Sequence, residues 1–464
     1  MFSFYIRKRY FILIILSSIN APSILAQTKN YSLLSLIDSA KNYLPLLMQK
    51  KALIDASKAS VADTKHSFLP QLKFGEQLDI GSANSVAGSF FTFGMTPSTS
   101  GSIRNDNNFQ PATSNVAVLY SEYELFNFGL RDAKLTNAQA YVKLAETDLK
   151  KEEYFIALNI AKLYFSIFKN QSRLSADKQN IERYQNIYTV IQALTLSGIK
   201  AGADSSLAKA ELSKTKISYN QTQGTINQLK EQLAYFTGIP AKVLAIDTVS
   251  INSVTSTPAA INFTPDTLNN PLIDYYSKKK DIFLANQALI KKSYLPKIIL
   301  AGSSWARGSS IQYSDQYKAL SAGLGYQRFN YAIGLAFTYN LFNGVYKKDK
   351  LAINNFQLMA SDYDLQQQKL ALASSAMQAD NALQTTMANL TELPVQLQSA
   401  TDTYQQKLAQ YKAGLISLID LTNASFVLYR SQTDYIETLN DWYLAQLDKA
   451  ASTGNLIQFL QTIK

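Results

Sequence analysis

The side chains that do covalent chemistry are sparse in this sequence. There is one histidine, His66, and no cysteine. A lone imidazole has no second imidazole or thiolate with which to share a metal ion, so neither a metal site nor thiol chemistry is expected. His66 precedes a stretch of strand pattern and reads as an ordinary interface residue. Gly323-Leu324-Gly325 is not a dinucleotide fingerprint, because a loop precedes it and no helix opens after it. Acidic residues are plentiful but fall on helical stretches, where they read as solvated faces. No nucleophile, base and orienter come together. No enzyme activity and no cofactor are expected.

Stepping from side chains to the elements that hold them, the chain repeats itself. Leu69-Pro70 is echoed by Leu295-Pro296 and Pro45 by Pro271, both 226 residues on. Leu125-Phe126-Asn127 recurs as Leu341-Phe342-Asn343, and Thr237-Gly238 as Thr453-Gly454, both 216 residues on. Lys200-Ala201-Gly202 recurs as Lys412-Ala413-Gly414, 212 residues on. Landmarks in one order at nearly one offset mark a duplicated unit of about 200 residues. Each unit reads as short helix, strand, loop, strand, very long helix, turn and returning helix.

The first repeat spans 27–240, with strands at about 68–80 and 115–127, a long helix at about 129–198 and a return helix at about 205–237. A Ser, Thr and Pro-rich connector follows at 241–265, expected to pack outside the bundle. The second repeat spans 266–456, with strands at about 296–307 and 330–342 and helices at about 345–411 and 418–449; 457–464 is a tail. Residues 1–26 read as a secretory leader: Arg7, Lys8 and Arg9 precede a short apolar run, and Ala26 offers a cleavage point.

The strands have two faces. Leu72, Phe74, Leu78 and Ile80 alternate with Gln71, Lys73, Gln77 and Asp79. Tyr331, Ile333, Leu335, Phe337, Tyr339 and Leu341 alternate with Ala332, Gly334, Ala336, Thr338 and Asn340. Large apolar side chains on one face and small or polar ones on the other fit a barrel with lipid outside and water inside. Asn115 to Asn127 is less clean, because Glu122 and Glu124 share the face that Val116 and Val118 begin. The long helices carry seven-residue repeats, Ile167, Leu174, Ile181 and Tyr188 in one and Leu383, Leu390, Leu397, Tyr404 and Tyr411 in the other. A helix of about 68 residues is on the order of 100 Å long, which suits a space to be crossed. Pro394 should kink the second.

Apolar residues make up 47% of the chain and charged ones 17%, so there is material for a core. The 28 Tyr and 23 Phe suit strands and membrane-interface belts. The net charge of +11 is scattered over groups such as Lys278 to Lys280, Lys291-Lys292 and Lys347-Lys348-Asp349-Lys350. No basic stripe lies over an aromatic sheet, so nucleic acid is not an expected partner. Solvated helix faces account for most of this charge, with a smaller share expected at anionic lipid head groups, because the last cluster directly follows a predicted membrane strand.

Four strands per chain cannot close a barrel, since bacterial membrane barrels start at about eight. An open edge in lipid leaves backbone groups unpaired. Strands must therefore be pooled between copies. Three chains give twelve, although geometry alone also permits two or four copies. A constriction would sit most naturally at the turn end of the bundle, far from the membrane.

Taken together, these landmarks resemble the TolC family of outer-membrane efflux proteins over about Tyr31 to Gly454. The resemblance implies a mainly α fold with membrane β: a homotrimer with a twelve-stranded outer-membrane barrel and a helical tunnel across the periplasm of a Gram-negative cell. It implies a passive exit duct, docked on a periplasmic adaptor and an inner-membrane pump, most often of the RND type. In that family acidic residues just after the glycine turn narrow the pore. Gly414-Leu415-Ile416-Ser417-Leu418-Ile419-Asp420 has that spacing, so Asp420 carries over as a gate candidate, with Asn423 where relatives often have a second acid. In the first unit the equivalent of Asp420 is Ala208 by the 212-residue offset, and Asp204 substitutes for it. Asp204 and Asp420 could instead cap their helices. The turns Lys200-Ala201-Gly202 and Lys412-Ala413-Gly414 are the expected adaptor contact. Within the same class, the exit of a type I protein secretion system is an alternative. From another class, a soluble periplasmic coiled-coil adaptor or spacer is the competing reading.

Overall fold

The computed structural model describes residues 29–84, 105–199, 201–247, 270–313 and 315–463. The expected leader and residues 248–265 of the expected connector lie outside the described residues. The order begins with β1 (Lys29–Tyr31), α1 (Leu33–Tyr43), α2 (Pro45–His66), β2 (Gln71–Gly81), β3 (Ala112–Phe126), α3 (Leu130–Leu196) and α4 (Gly202–Thr237). It continues with β4 (Leu244–Ile246), α5 (Pro271–Ser293), β5 (Lys297–Ser309), β6 (Arg328–Thr338), α6 (Asn343–Lys412), α7 (Leu418–Ser452) and α8 (Leu456–Thr462).

Local chemistry sets the breaks. Pro45 and Pro271 each sit in the first helical turn, where a missing N–H costs nothing. Asn270 caps the second of these helices by accepting from the Leu272 N–H at 3.0 Å. Pro394 does not end α6, which continues as helix from Asn343 to Lys412. The seven-residue repeat of that helix is buried at Leu383, Leu390, Tyr404 and Tyr411. A second buried row at Ala379, Thr386, Leu393 and Ala400 alternates with it, as in a coiled-coil seam.

The wall of the molecule has one order at two levels. The four-stranded antiparallel sheet runs β2-β3-β5-β6. Above the strand ends α2 packs on α3, α3 on α5 and α5 on α6, repeating that order in helices. Lower down α4 returns along α3 and α7 along α6, and α3 lies against α7 to join the two hairpins. Here α3, with 67 residues, and α6, with 70, extend roughly 100 Å each.

Where the hairpins meet the wall, the largest core gathers α1, α3, α7 and α8. Phe165 stacks on Tyr443 at 5.1 Å, and Trp442 meets Tyr443 edge-on at 5.1 Å. Two segments differ from expectation here. The start of the connector forms β4, paired in parallel with β1, and Leu244 and Ile246 are buried in this core rather than outside it. The expected tail is α8, whose Leu456, Phe459 and Leu460 are also buried. Both are apolar runs too short to reveal by periodicity that the core needs them.

Ion pairs tie the wall helices together. Lys50 of α2 and Lys151 of α3 donate to Asp148 at 2.5 and 2.6 Å, and the Lys151 ammonium stands 4.0 Å over the Tyr275 ring of α5. Burial alone pushes the Asp148 carboxyl up, but the hydrogen bonds from Lys151 and Lys50 outweigh it and hold it below the ordinary value. A depressed carboxyl stabilises the fold above its unfolded pKa, about 4, and loses that contribution as the pH falls through the folded value. Asp148→Asn should therefore flatten the acid limb of a helix-unfolding profile below about pH 4 and leave its neutral limb parallel to wild type. An unchanged acid limb would remove this cluster from the acid response.

Candidate functional site: a two-faced sheet and the hairpin tips

Cross-strand register assigns every strand residue to a face. Leu72, Phe74, Leu78 and Ile80 share one side with Leu119, Tyr123, Ile298 and Leu300, and with Phe329, Tyr331, Ile333, Leu335 and Phe337. The edge strands β2 and β6 are exposed along their whole length. Glu76 is the one acidic residue on this apolar face, and the Tyr326 hydroxyl donates to it at 2.7 Å. The opposite face carries Gln71, Lys73, Gln77, Asp79, Glu122, Glu124, Lys297, Trp305, Arg307, Arg328 and Asn330. Lys297 pairs there with Glu124 at 3.1 Å. This resolves the mixed pattern of β3. Val116, Val118, Glu122 and Glu124 all stand on the polar face, which accommodates a few apolar side chains. Among the described residues no helix is long and apolar enough to cross a membrane.

At the other end of the molecule the two hairpin tips have one geometry. Gly198 and Gly414 follow α3 and α6 in the left-handed conformation, with φ of 72° and 75°. The Ile199 N–H reaches the Leu194 carbonyl and the Leu415 N–H the Gln410 carbonyl, both at 2.9 Å. This is the Schellman closure of a helix end, which a glycine makes without strain. The structural counterpart of Gly414 is thus Gly198, and Gly202 instead opens α4. The repeated Lys-Ala-Gly triplet misaligns the tips by four residues. The 216-residue offset already visible in Thr237-Gly238 and Thr453-Gly454 aligns them.

That shift re-pairs the acidic residues. Asp204 and Asp420 occupy the same place, three residues past the N-caps Ala201 and Ser417. Ala208, expected opposite Asp420, is buried and stands opposite the buried Ala424. Asp420 is exposed and closes a capping box. It accepts from the Ser417 Oγ at 2.6 Å and the Ser417 N–H at 3.1 Å, and its own N–H donates to Ser417 Oγ at 3.2 Å. The Ser417 side-chain and backbone bonds hold the Asp420 carboxyl below its ordinary value, so it is charged at neutral pH. Asp204 has no such cap and is half-buried. Burial first, and the Asp204 charge second, push the Tyr411 phenol up. Asn423 is exposed one turn beyond Asp420. Ala201, Lys412, Ala413 and Gly414 are exposed at the tips, and Lys200 lies outside the described residues.

Between tip and core the sequence concealed a buried charge. Asp177 of α3 is 1% exposed. It accepts from Thr222 of α4 at 2.6 Å, from Ser218 of α4 at 3.2 Å and from the Tyr429 hydroxyl of α7 at 2.5 Å. One carboxylate thereby joins the two hairpins. An acid among many on a long helix gives no sign of this, because its three donors come from elements 41 to 252 residues away.

Residues 36–238 and 277–455 match the family model described as outer membrane efflux protein. The chain belongs to that family. Outer membrane protein TolC of Escherichia coli (strain K12) is 19% identical over 447 residues, covering 95% of this chain and 85% of TolC. Among solved structures, CusC aligns with a TM-score of 0.75 at 16% identity over 92% of each chain. The open state of the MtrE outer membrane channel of Neisseria gonorrhoeae aligns at 0.67 with 16% identity over 98% of each chain. The fold is that of the outer-membrane channels. This efflux protein is an outer-membrane protein. The soluble-adaptor reading falls with this assignment.

Proposed function

We propose that three copies of this chain form the outer-membrane exit duct of a tripartite efflux system, closing a twelve-stranded barrel continued by a helical tunnel. The observation that carries this reading is the pair of open edges. Strand β2 follows α2, and β6 leads into α6, so each protomer is a wall with one strand-and-helix edge on either side. Exposed apolar side chains run along the second helical edge at Val345, Ile353, Phe356, Tyr363, Leu370 and Met377, where a neighbouring copy would cover them. Unpaired strand edges in lipid demand the same partner. Native mass measurement in mild detergent should give three chains per particle, and heating should release monomers. A monodisperse monomer that stays soluble without detergent ends the proposal.

The partners at the far end are a periplasmic adaptor and an inner-membrane pump, of which the RND type fits best. Ile199 and Leu415, 67% and 75% exposed at the two tips, offer the adaptor an apolar contact beside Lys412. Three copies of Asp204 and Asp420 would place two carboxylate rings at the narrow end, favouring cations. Asp420→Ala should raise single-channel conductance or weaken cation block in a planar bilayer. If neither changes, Asp420 is a cap alone and the gate lies elsewhere.

A further inference from the structure

At the outer end of the sheet two arginines face each other. Arg307 of β5 and Arg328 of β6 are direct cross-strand partners on the water face. Directly opposed residues have Cβ atoms about 5 Å apart, and like charges there repel. Neither guanidinium has a carboxylate partner among the described residues. Arg328 donates only to the neighbouring Gln327 carbonyl at 2.9 Å. Arg307 lies 6.0 Å from the ring centroid of Trp305, two residues back on the same face. The nearest acid on this face, Asp79, stands two strands away, where Gln77 and Ser114 already donate to it at 2.8 and 3.5 Å. Both arginines are exposed, and residues 85–104, which connect β2 toward β3, contain no Asp or Glu and one Arg.

A sheet gains nothing from this arrangement by itself. An Arg pair beside an indole is, however, a good receptor for an anion: two forked donors match a carboxylate, phosphate or sulfonate, and the ring supports an aromatic one. We propose that Trp305, Arg307 and Arg328 form an anion-binding site at the outer mouth of the channel, taken by carboxylate, phosphate or sulfonate groups of departing solutes. Its position in the lumen rests on the channel reading; the residue pairing does not. In a trimer the site repeats three times and gives the exit a positive collar, opposite in sign to the acidic residues at the tips. A solute released from the narrow end would meet a reversal of field before leaving.

The chain has two tryptophans, and Trp442 is 2% exposed, so soluble quenchers report on Trp305. Iodide and caesium quenching should be compared in detergent at one total ionic strength. Relative to the same ratio for free N-acetyltryptophanamide, the iodide-to-caesium quenching ratio should be raised in the native chain, and Arg307→Gln with Arg328→Gln should lower it by about threefold or more. Benzoate should compete with iodide. Arg307→Lys, which keeps the charge, should retain most of the preference, separating field from fold. Equal ratios in native and doubly substituted protein overturn the site, including the case in which a neighbouring copy neutralises Arg328. Reversal potentials in planar bilayers then place it: a shift toward cations in the double variant puts the collar in the lumen. Quenching that responds without any pore forming keeps the site but sinks the channel.

Discussion

Ile333→Arg should remove the protein from the outer membrane, whereas Gly334→Arg one residue later should leave it there. Ile333 is 82% exposed on the apolar face near the middle of β6. A charge at the bilayer midplane of a barrel costs about 2–4 kcal/mol, paid in every copy. In a trimer that penalty is met three times, enough to cancel a large share of a marginal folding free energy. Gly334 points to the water face, and nothing lies within 4 Å of a Cβ built there. An arginine at that position projects into water and replaces a residue that weakens a strand. Membrane fractionation followed by electrophoresis without heating distinguishes the two. Equal loss of oligomer from both variants would mean that the two faces of β6 are not lipid and water.

The second large effect belongs to Asp177. Replacement by alanine removes the common acceptor of Ser218, Thr222 and Tyr429 and opens a small cavity. A hydrogen bond to a carboxylate contributes about 1.5–3 kcal/mol, and each buried hydroxyl left without its acceptor costs about 1–3 kcal/mol. Tyr429→Phe is the sharper test because it removes one hydroxyl and keeps the ring. It should cost about 1.5–3 kcal/mol and loosen the contact between hairpins rather than either hairpin. The expected signature is a lowered midpoint of helical unfolding in detergent, with barrel and oligomer intact. In Thr222→Val, which leaves Tyr429 in place, the loss should be smaller and confined to the first hairpin. A Tyr429→Phe midpoint equal to that of the native chain would show that Asp177 is satisfied without α7.

Much of this architecture is written in short-range pattern. The alternation of Tyr331, Ile333, Leu335 and Phe337 with small residues specifies a strand with unlike faces, because successive side chains in a strand must point to opposite sides. Long stretches with scarcely a glycine or proline specify long helices, and sevens of Leu and Tyr specify that these wind on neighbours. The repeat specifies that everything happens twice. Where patterns are short or repeated by chance, the sequence misleads. The Lys-Ala-Gly triplets occur in both units, but only Gly198 and Gly414 take the left-handed turn, and the triplet alignment placed Ala208 where Asp204 belongs. Three residues of LAI and seven at the C terminus looked like connector and tail, since their apolar side chains have meaning only beside the core they fill.

The amino-acid order alone determined the period of each segment and the four strands of the two-faced sheet, because these depend on neighbours a few residues apart. Only the tertiary structure decided which carboxylate is buried, which acid caps a helix and which arginines stand face to face. Those outcomes depend on register between segments up to 252 residues apart, as in Tyr429 and Asp177, and no local pattern encodes a distance of that kind.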